Sequence, residues 1–185
     1  AKEESNLKEL AGCDLLAGLD FNRLSRIGEW GADFRDSKAH KILIDHHQNP
    51  EVEAFNEVVS RTDVSSTCEI VYGLLKECAD IAGDISKMSV ITREALLTGM
   101  TTDTNNFANS VFPSTLTMAS ELLEAGTDRD SIIQKLYFCY PQRRIKAQGY
   151  ALERLLHITD DGVAYIFLNA FTQTRFGLKE GDTEG

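Results

Sequence analysis

Along the chain, short apolar runs that end on polar residues give way to longer stretches with helical spacing. "CDLLAGLDFN" (13–22) is an apolar run closing on Asp20-Phe21-Asn22. "HKILIDHH" (40–47) repeats the design, with Ile42, Leu43 and Ile44 leading into Asp45. Runs of this length bounded by turn residues suit buried strands. Residues 23–38 leave room for a helical turn or two, so strand, crossover and parallel strand are expected in order. A third short strand is expected in "AFNEVVS" (54–60).

Helices are predicted to dominate from Ser65 onward. Ser66, followed three residues later by Glu69, reads as a capping box. Ile70, Val71, Leu74, Leu75 and Cys78 then recur on one helical face. Val90, Ile91, Leu96, Leu97 and Met100 do the same in the next helix. "STLTMASELLEAG" (114–126) opens on a capping serine or threonine and stops at Gly126. Helices are also expected over 128–140 and 141–159, with Pro141 in the first turn of the second. After a turn at Asp160-Asp161-Gly162, "GVAYIFLNAF" (162–171) turns β-prone. The expected organisation is an α/β domain over residues 1–160, a parallel sheet flanked by helices, and the start of a second unit over 161–185.

Composition narrows the function. The 185 residues are 42% hydrophobic, enough for one good-sized core. A net charge of −10 repels polyanions and argues against a module that grips duplex nucleic acid through lysines and arginines. An acidic protein can still act on phosphate esters where bound cations reverse the local field. Arg143, Arg144 and Lys146 form the obvious basic cluster, and their helical spacing suits a solvated face. Cys13, Cys68, Cys78 and Cys139 form no C-x-x-C pair, so buried free thiols in a reducing cytoplasm are expected. No apolar run is long enough to span a membrane, and no basic-then-apolar leader is present. Both ends, Ala1 followed by "KEESN" and the closing "KEGDTEG", read as cut points.

Candidate chemistry lies at the ends of these elements. In parallel α/β sheets, functional groups gather beyond the carboxyl ends of the strands. Asp20 ends the first strand and Asp45-His46-His47 the next, so neighbouring strands would bring them to one crevice. Adjacent residues leaving a strand point apart, so one of His46 and His47 can bind a metal while the other meets substrate. Asp103 falls at the end of a predicted helix, where the terminal carbonyls favour a cation, and Gly99 would let that helix come close. Carboxylates with an imidazole suit Mn²⁺, Mg²⁺ or Zn²⁺, and the histidine tilts the choice toward Mn²⁺. His40 and His157 lack such context and read as surface or structural.

"ILIDHHQNP" resembles the signature motif of the DHH phosphoesterase superfamily. "LLAGLDFNRLSRIGE" is similar to its second motif and "LLTGMTTDTNNFANS" to its fourth, and the likeness covers most of residues 11–160. Within the superfamily the chain resembles the branch of small oligoribonucleases and 3′-phosphoadenosine 5′-phosphate phosphatases, often labelled exopolyphosphatase-related. This resemblance implies a cytoplasmic hydrolase that uses two Mn²⁺ ions, or Mg²⁺, to activate water against phosphate esters. Asp20 would bridge both ions, His46 and Asp103 would hold the second, His47 would contact the scissile phosphate or leaving group, and Asp45 would orient a ligand from behind. Implied substrates are short single-stranded oligonucleotides or small nucleotide phosphates, with no duplex or membrane partner and a homodimer as an open assembly state. Inorganic polyphosphate, pyrophosphate and cyclic dinucleotides are alternative substrates, and a catalytically silent nucleotide-binding module is the alternative of a different class. The resemblance further implies that the family's first motif would precede Ala1 and that residues 161–185 begin a DHH-associated domain.

Overall fold

In the computed structural model, residues 10, 12–179 and 181–183 are described. Three parallel strands, β1 (Leu15–Leu19), β2 (His40–Asp45) and β3 (Glu57–Ser60), form a sheet in the order β1-β2-β3. Leu19 pairs with Ile44, and the Asp20 amide donates to the Ile44 carbonyl at 3.2 Å, so the two strands end side by side. The crossover between them holds a 3₁₀ turn (Leu24–Ile27) and helix α1 (Trp30–Asp36). Leu24, Phe34 and Ala54 are buried together, with Leu16, Phe21, Ile27 and Phe55 packed around them. The Phe21, Phe34 and Phe55 rings lie 5.7–6.3 Å apart, in the edge and tilted arrangements that aromatic quadrupoles favour. β1 departs from the buried strand expected: Leu15 and Leu19 are about half exposed, because among the described residues β1 is an edge strand.

Helices α2 (Thr67–Glu77), α3 (Val90–Asp103) and α4 (Pro113–Glu124) complete the first unit, and α2 packs over β2. Leu96, Leu97, Met100, Met118 and Leu122 form their buried seam. The apolar faces differ from those the spacing suggests. Val90 and Ile91 sit in the exposed first turn of α3, and Leu74 is exposed on α2 while Tyr72 is buried. Tyr72 faces inward because its hydroxyl has a partner, Glu121, which Lys76 also grips at 2.7 Å. Gly99 lets α3 approach α2: a Cβ there would run into the Cys68 sulfur. Of the cysteines, Cys13 and Cys68 are partly buried, while Cys78 and Cys139 are exposed, and all four are free thiols. The expectation of buried thiols therefore fails, since the helices carrying Cys78 and Cys139 end at the surface.

The start of α2 is organised by a buried carboxylate. Ser66 caps the helix by accepting from the Glu69 amide at 3.2 Å. The reciprocal bond of a capping box goes one residue further back: Glu69 Oε2 accepts from the Ser65 amide at 2.9 Å and the Ser65 hydroxyl at 2.6 Å. The Thr115 hydroxyl of α4 donates to the same oxygen at 2.8 Å. Thr115 also accepts from the Phe112 amide, so it stabilises the start of α4 from inside the helix, where a serine or threonine cap was expected.

The chain divides into two compact units between Arg129 and Asp130. The second contains most of α5 (Arg129–Ile133), a π turn (Gln134–Phe138), α6 (Gln142–Tyr150), a second π turn (Ala151–Leu155), an antiparallel pair β4 (Leu156–Ile158) and β5 (Ala164–Ile166), and α7 (Ala170–Phe176). The helix expected to run through residue 159 yields to β4 at Leu156, and the strand expected over 162–171 shortens to three residues. The turn expected at Asp160-Asp161-Gly162 lies within this unit and joins β4 to β5. Arg143 is not a free solvated charge: it pairs with Asp182 through two bonds of 2.7 and 3.1 Å, while Arg144 lies over the Tyr140 ring. Among the described residues no helix is long and apolar enough to cross a membrane.

Glu69 makes the first unit acid-sensitive. Burial pushes its carboxyl up, but the Ser114, Ser65 and Thr115 donors outweigh that and hold it below its ordinary value of 4.5. The other carboxylate oxygen, Oε1, is buried without a hydrogen-bond partner. A depressed folded value means stabilisation that is complete above the unfolded pKa and is lost as pH falls through the folded one. Glu69→Gln should cost on the order of 2–3 kcal/mol at neutral pH, because an amide donor then faces donors. In urea unfolding from pH 7 to pH 3, the gap between wild type and variant should close on the acid side.

Candidate metal centre

Three loops leaving the carboxyl side of the sheet and the ends of two helices build the site. Asp20 follows β1 with φ of 65°, a left-handed conformation that aspartate tolerates because its short polar side chain can bond locally. His46 and His47 follow β2 directly, their rings 4.5 Å apart at a steep angle. Asp103 is the last residue of α3.

The geometry centres on His46. Its Nε2 lies 3.6 Å from Asp20 Oδ1 and 3.6 Å from Asp103 Oδ2. Those separations are too long for hydrogen bonds. They are close to the roughly 3.0–3.4 Å expected between two ligands of one cation held at roughly 2.1 Å from each. Asp20, His46 and His47 also offer ligand atoms that all lie within 4.8 Å of one another. Asp103 stands outside that group and faces it only through His46, so the donors gathered together are one carboxylate and two imidazoles, a set that suits a borderline divalent cation such as Mn²⁺. Burial, and then the Asp20 carboxylate, push the Asp103 carboxyl above its ordinary value, while His46 and His47 pull the other way. The site thus concentrates negative charge that a cation would relieve.

Asp45 does not join this cluster. It is fully buried beneath it and accepts from the His47 amide at 3.1 Å and from His47 Nδ1 at 2.7 Å. A carboxylate in that place accepts a hydrogen bond from Nδ1–H, which orients the ring and leaves Nε2 without that proton. His46, His47 and Asp103 open onto a cavity of about 440 Å³, whose other walls include Gln48, Thr62, Ser65, Ser110 and Phe112. Among the described residues, no lysine or arginine lines it.

Several contributors escaped the sequence reading. Thr67, the first residue of α2, donates to Asp20 Oδ1 at 2.8 Å. Nothing local links two residues 47 apart in the chain. Beside it, the Cys68 thiol is driven to about 11, by burial first and then by Asp103 and Asp20, so it stays protonated at neutral pH. After Asp103 the chain coils tightly: Asn105, Asn106, Phe107 and Ser110 all have positive φ. Thr104 accepts from the Phe107 amide at 3.0 Å, and Arg129 donates to Asn106 at 2.6 Å. The asparagines in "DTNNF" were the available signal, since Asn tolerates this conformation better than most residues.

Residues 2–102 match the DHH family, N-terminal domain, and the chain belongs to that family. Its fold is similar to the crystal structure of an exopolyphosphatase-related protein from Bacteroides fragilis, with 35% sequence identity and a TM-score of 0.88 over 98% of this chain. The chain spans about half the length of that protein, 52%. The comparison with curated proteins finds no match.

Without a cation, removing one of the facing carboxylate charges should relieve repulsion. In chelator, Asp20→Asn and Asp103→Asn should therefore unfold at the wild-type temperature or above it. On adding Mn²⁺ at roughly a hundred times its dissociation constant, wild type should gain about 2.7 kcal/mol and both variants much less, measured by calorimetric unfolding.

Proposed function

We propose that this chain carries the metal-binding residues of a phosphoesterase that hydrolyses short oligonucleotides, 3′-phosphoadenosine 5′-phosphate, or both. The observation that carries the reading is His46 Nε2 placed equally, at 3.6 Å, from the Asp20 and Asp103 carboxylates. In this reading Asp20, His46 and Asp103 hold Mn²⁺, with Asp20 shared between two ions and Mg²⁺ an acceptable substitute. When bound, such cations supply positive charge for the phosphoryl oxygens and make water acidic enough to act near neutral pH. His47 presents Nε2 to the phosphoryl oxygen or the leaving group, while Asp45 keeps the ring from turning.

The cavity supports a nucleotide over inorganic polyphosphate. A polyphosphate tail brings a row of charges, and here it would meet Gln48, Thr62, Ser65 and Ser110 with no protein cation. A nucleoside brings hydrogen-bonding groups and an aromatic face, which those side chains and Phe112 can meet. Single-stranded ends suit the acidic surface better than a duplex does. Residues 161–185 are read as the opening of a DHH-associated domain that contributes further specificity. The description of the Bacteroides fragilis protein keeps polyphosphate as the second reading, to be decided by assay.

The test is hydrolysis by the intact protein in Mn²⁺, with a ribo-oligonucleotide, 3′-phosphoadenosine 5′-phosphate and polyphosphate in parallel. The nucleotides should be cleaved faster. Asp20→Ala and His46→Ala should fall to background, and Asp45→Ala should lose roughly 10–100-fold. Near-wild-type turnover by either of the first two would remove the site assignment, and a preference for polyphosphate would remove the substrate assignment.

A further inference from the structure

Thr67 is the point where helix α2 reaches the metal centre. Its side chain is buried, and its hydroxyl donates to Asp20 Oδ1, the same oxygen that faces His46 Nε2 at 3.6 Å. Among the described residues, no other side chain hydrogen-bonds the Asp20 carboxylate. That carboxylate needs holding: its side chain is 53% exposed and springs from a left-handed turn, so solvent alone would let it change rotamer.

Thr67 is itself held from behind. It stands at the first position of α2, between the Ser66 cap and Glu69. Glu69 ties Ser65 to Thr115 of α4, so the helix start is anchored by a buried network that includes no candidate ligand. The hydroxyl is therefore aimed at Asp20 by contacts that involve no candidate ligand.

We propose that Thr67 is a positioning residue that presets Asp20 Oδ1 toward the ion shared with His46 and Asp103. This inference rests on the metal-centre reading above. Loss of the hydroxyl leaves the ligands in place but makes ordering of Asp20 part of the binding step. Affinity for the cation falls, while turnover at saturating cation changes little.

The experiment measures Mn²⁺ binding to the intact protein by electron paramagnetic resonance of the free ion, for wild type, Asp20→Ala, Thr67→Val and Thr67→Ser. Thr67→Val should bind Mn²⁺ roughly 10–100-fold more weakly. Thr67→Ser, which keeps the donor, should stay within about threefold of wild type. Raising Mn²⁺ should return hydrolysis by Thr67→Val to near the wild-type maximum. Should the valine variant not fold, Thr67→Ala gives the same readout. Wild-type affinity without the hydroxyl, or equal weakening in the serine variant, overturns the inference while leaving the metal centre intact. If wild type and Asp20→Ala bind Mn²⁺ alike, the metal-centre reading falls and this inference with it.

Discussion

The parallel pairing of β1 with β2 is the constraint on which the site depends. With Leu19 opposite Ile44, the two strands finish together, so Asp20 leaves one strand beside the point where Asp45, His46 and His47 leave the other. A parallel pair needs a long crossover, supplied here by residues 20–39 with α1 and its aromatic packing. A one-residue slip in that pairing would turn Asp20 to the other side of the sheet and dissolve the cluster. The chemistry is thus a product of strand register before it is a product of any side chain.

Around that register the protein divides charged residues by task. Asp45 is taken fully out of solvent and used on His47. Glu69 is buried as well, and it anchors the start of α2. Asp20 and Asp103 keep open edges, and the Asp20 charge helps push the Asp103 carboxyl above its ordinary value. Buried carboxylates that accept from several donors lend rigidity, whereas the two left partly open carry negative potential outward. A chain with a net charge of −10 has no surplus of basic residues near this space to blunt that potential.

Much of this was legible in the linear chain, because an apolar run that ends on an acid is a local signal. The ends of β1 and β2, the helix terminus at Asp103 and the family resemblance all came from such stretches. What periodicity could not say is whether another element covers a given face. Val90, Ile91 and Leu74 keep helical spacing yet stay in solvent, since each sits where no neighbouring element lies over it. The Thr67–Asp20 bond and the Glu69–Thr115 bond join residues 47 and 46 positions apart, and no local pattern encodes them. The capping motif at Ser66 was visible, but its shift to Ser65 required seeing where the Glu69 side chain could reach.

Gly99 gives the packing between α2 and α3 a chemical meaning. It lies one turn before Asp103 on the same helical face, and it abuts Cys68, the neighbour of Thr67. The bare backbone there sets how near one helix, bearing a carboxylate, comes to another that steadies the opposing carboxylate. A methyl group at that spot would have to displace the Cys68 sulfur or push the two helices apart. The spacing between the helices that carry Thr67 and Asp103 is in that sense gauged by a missing methyl group.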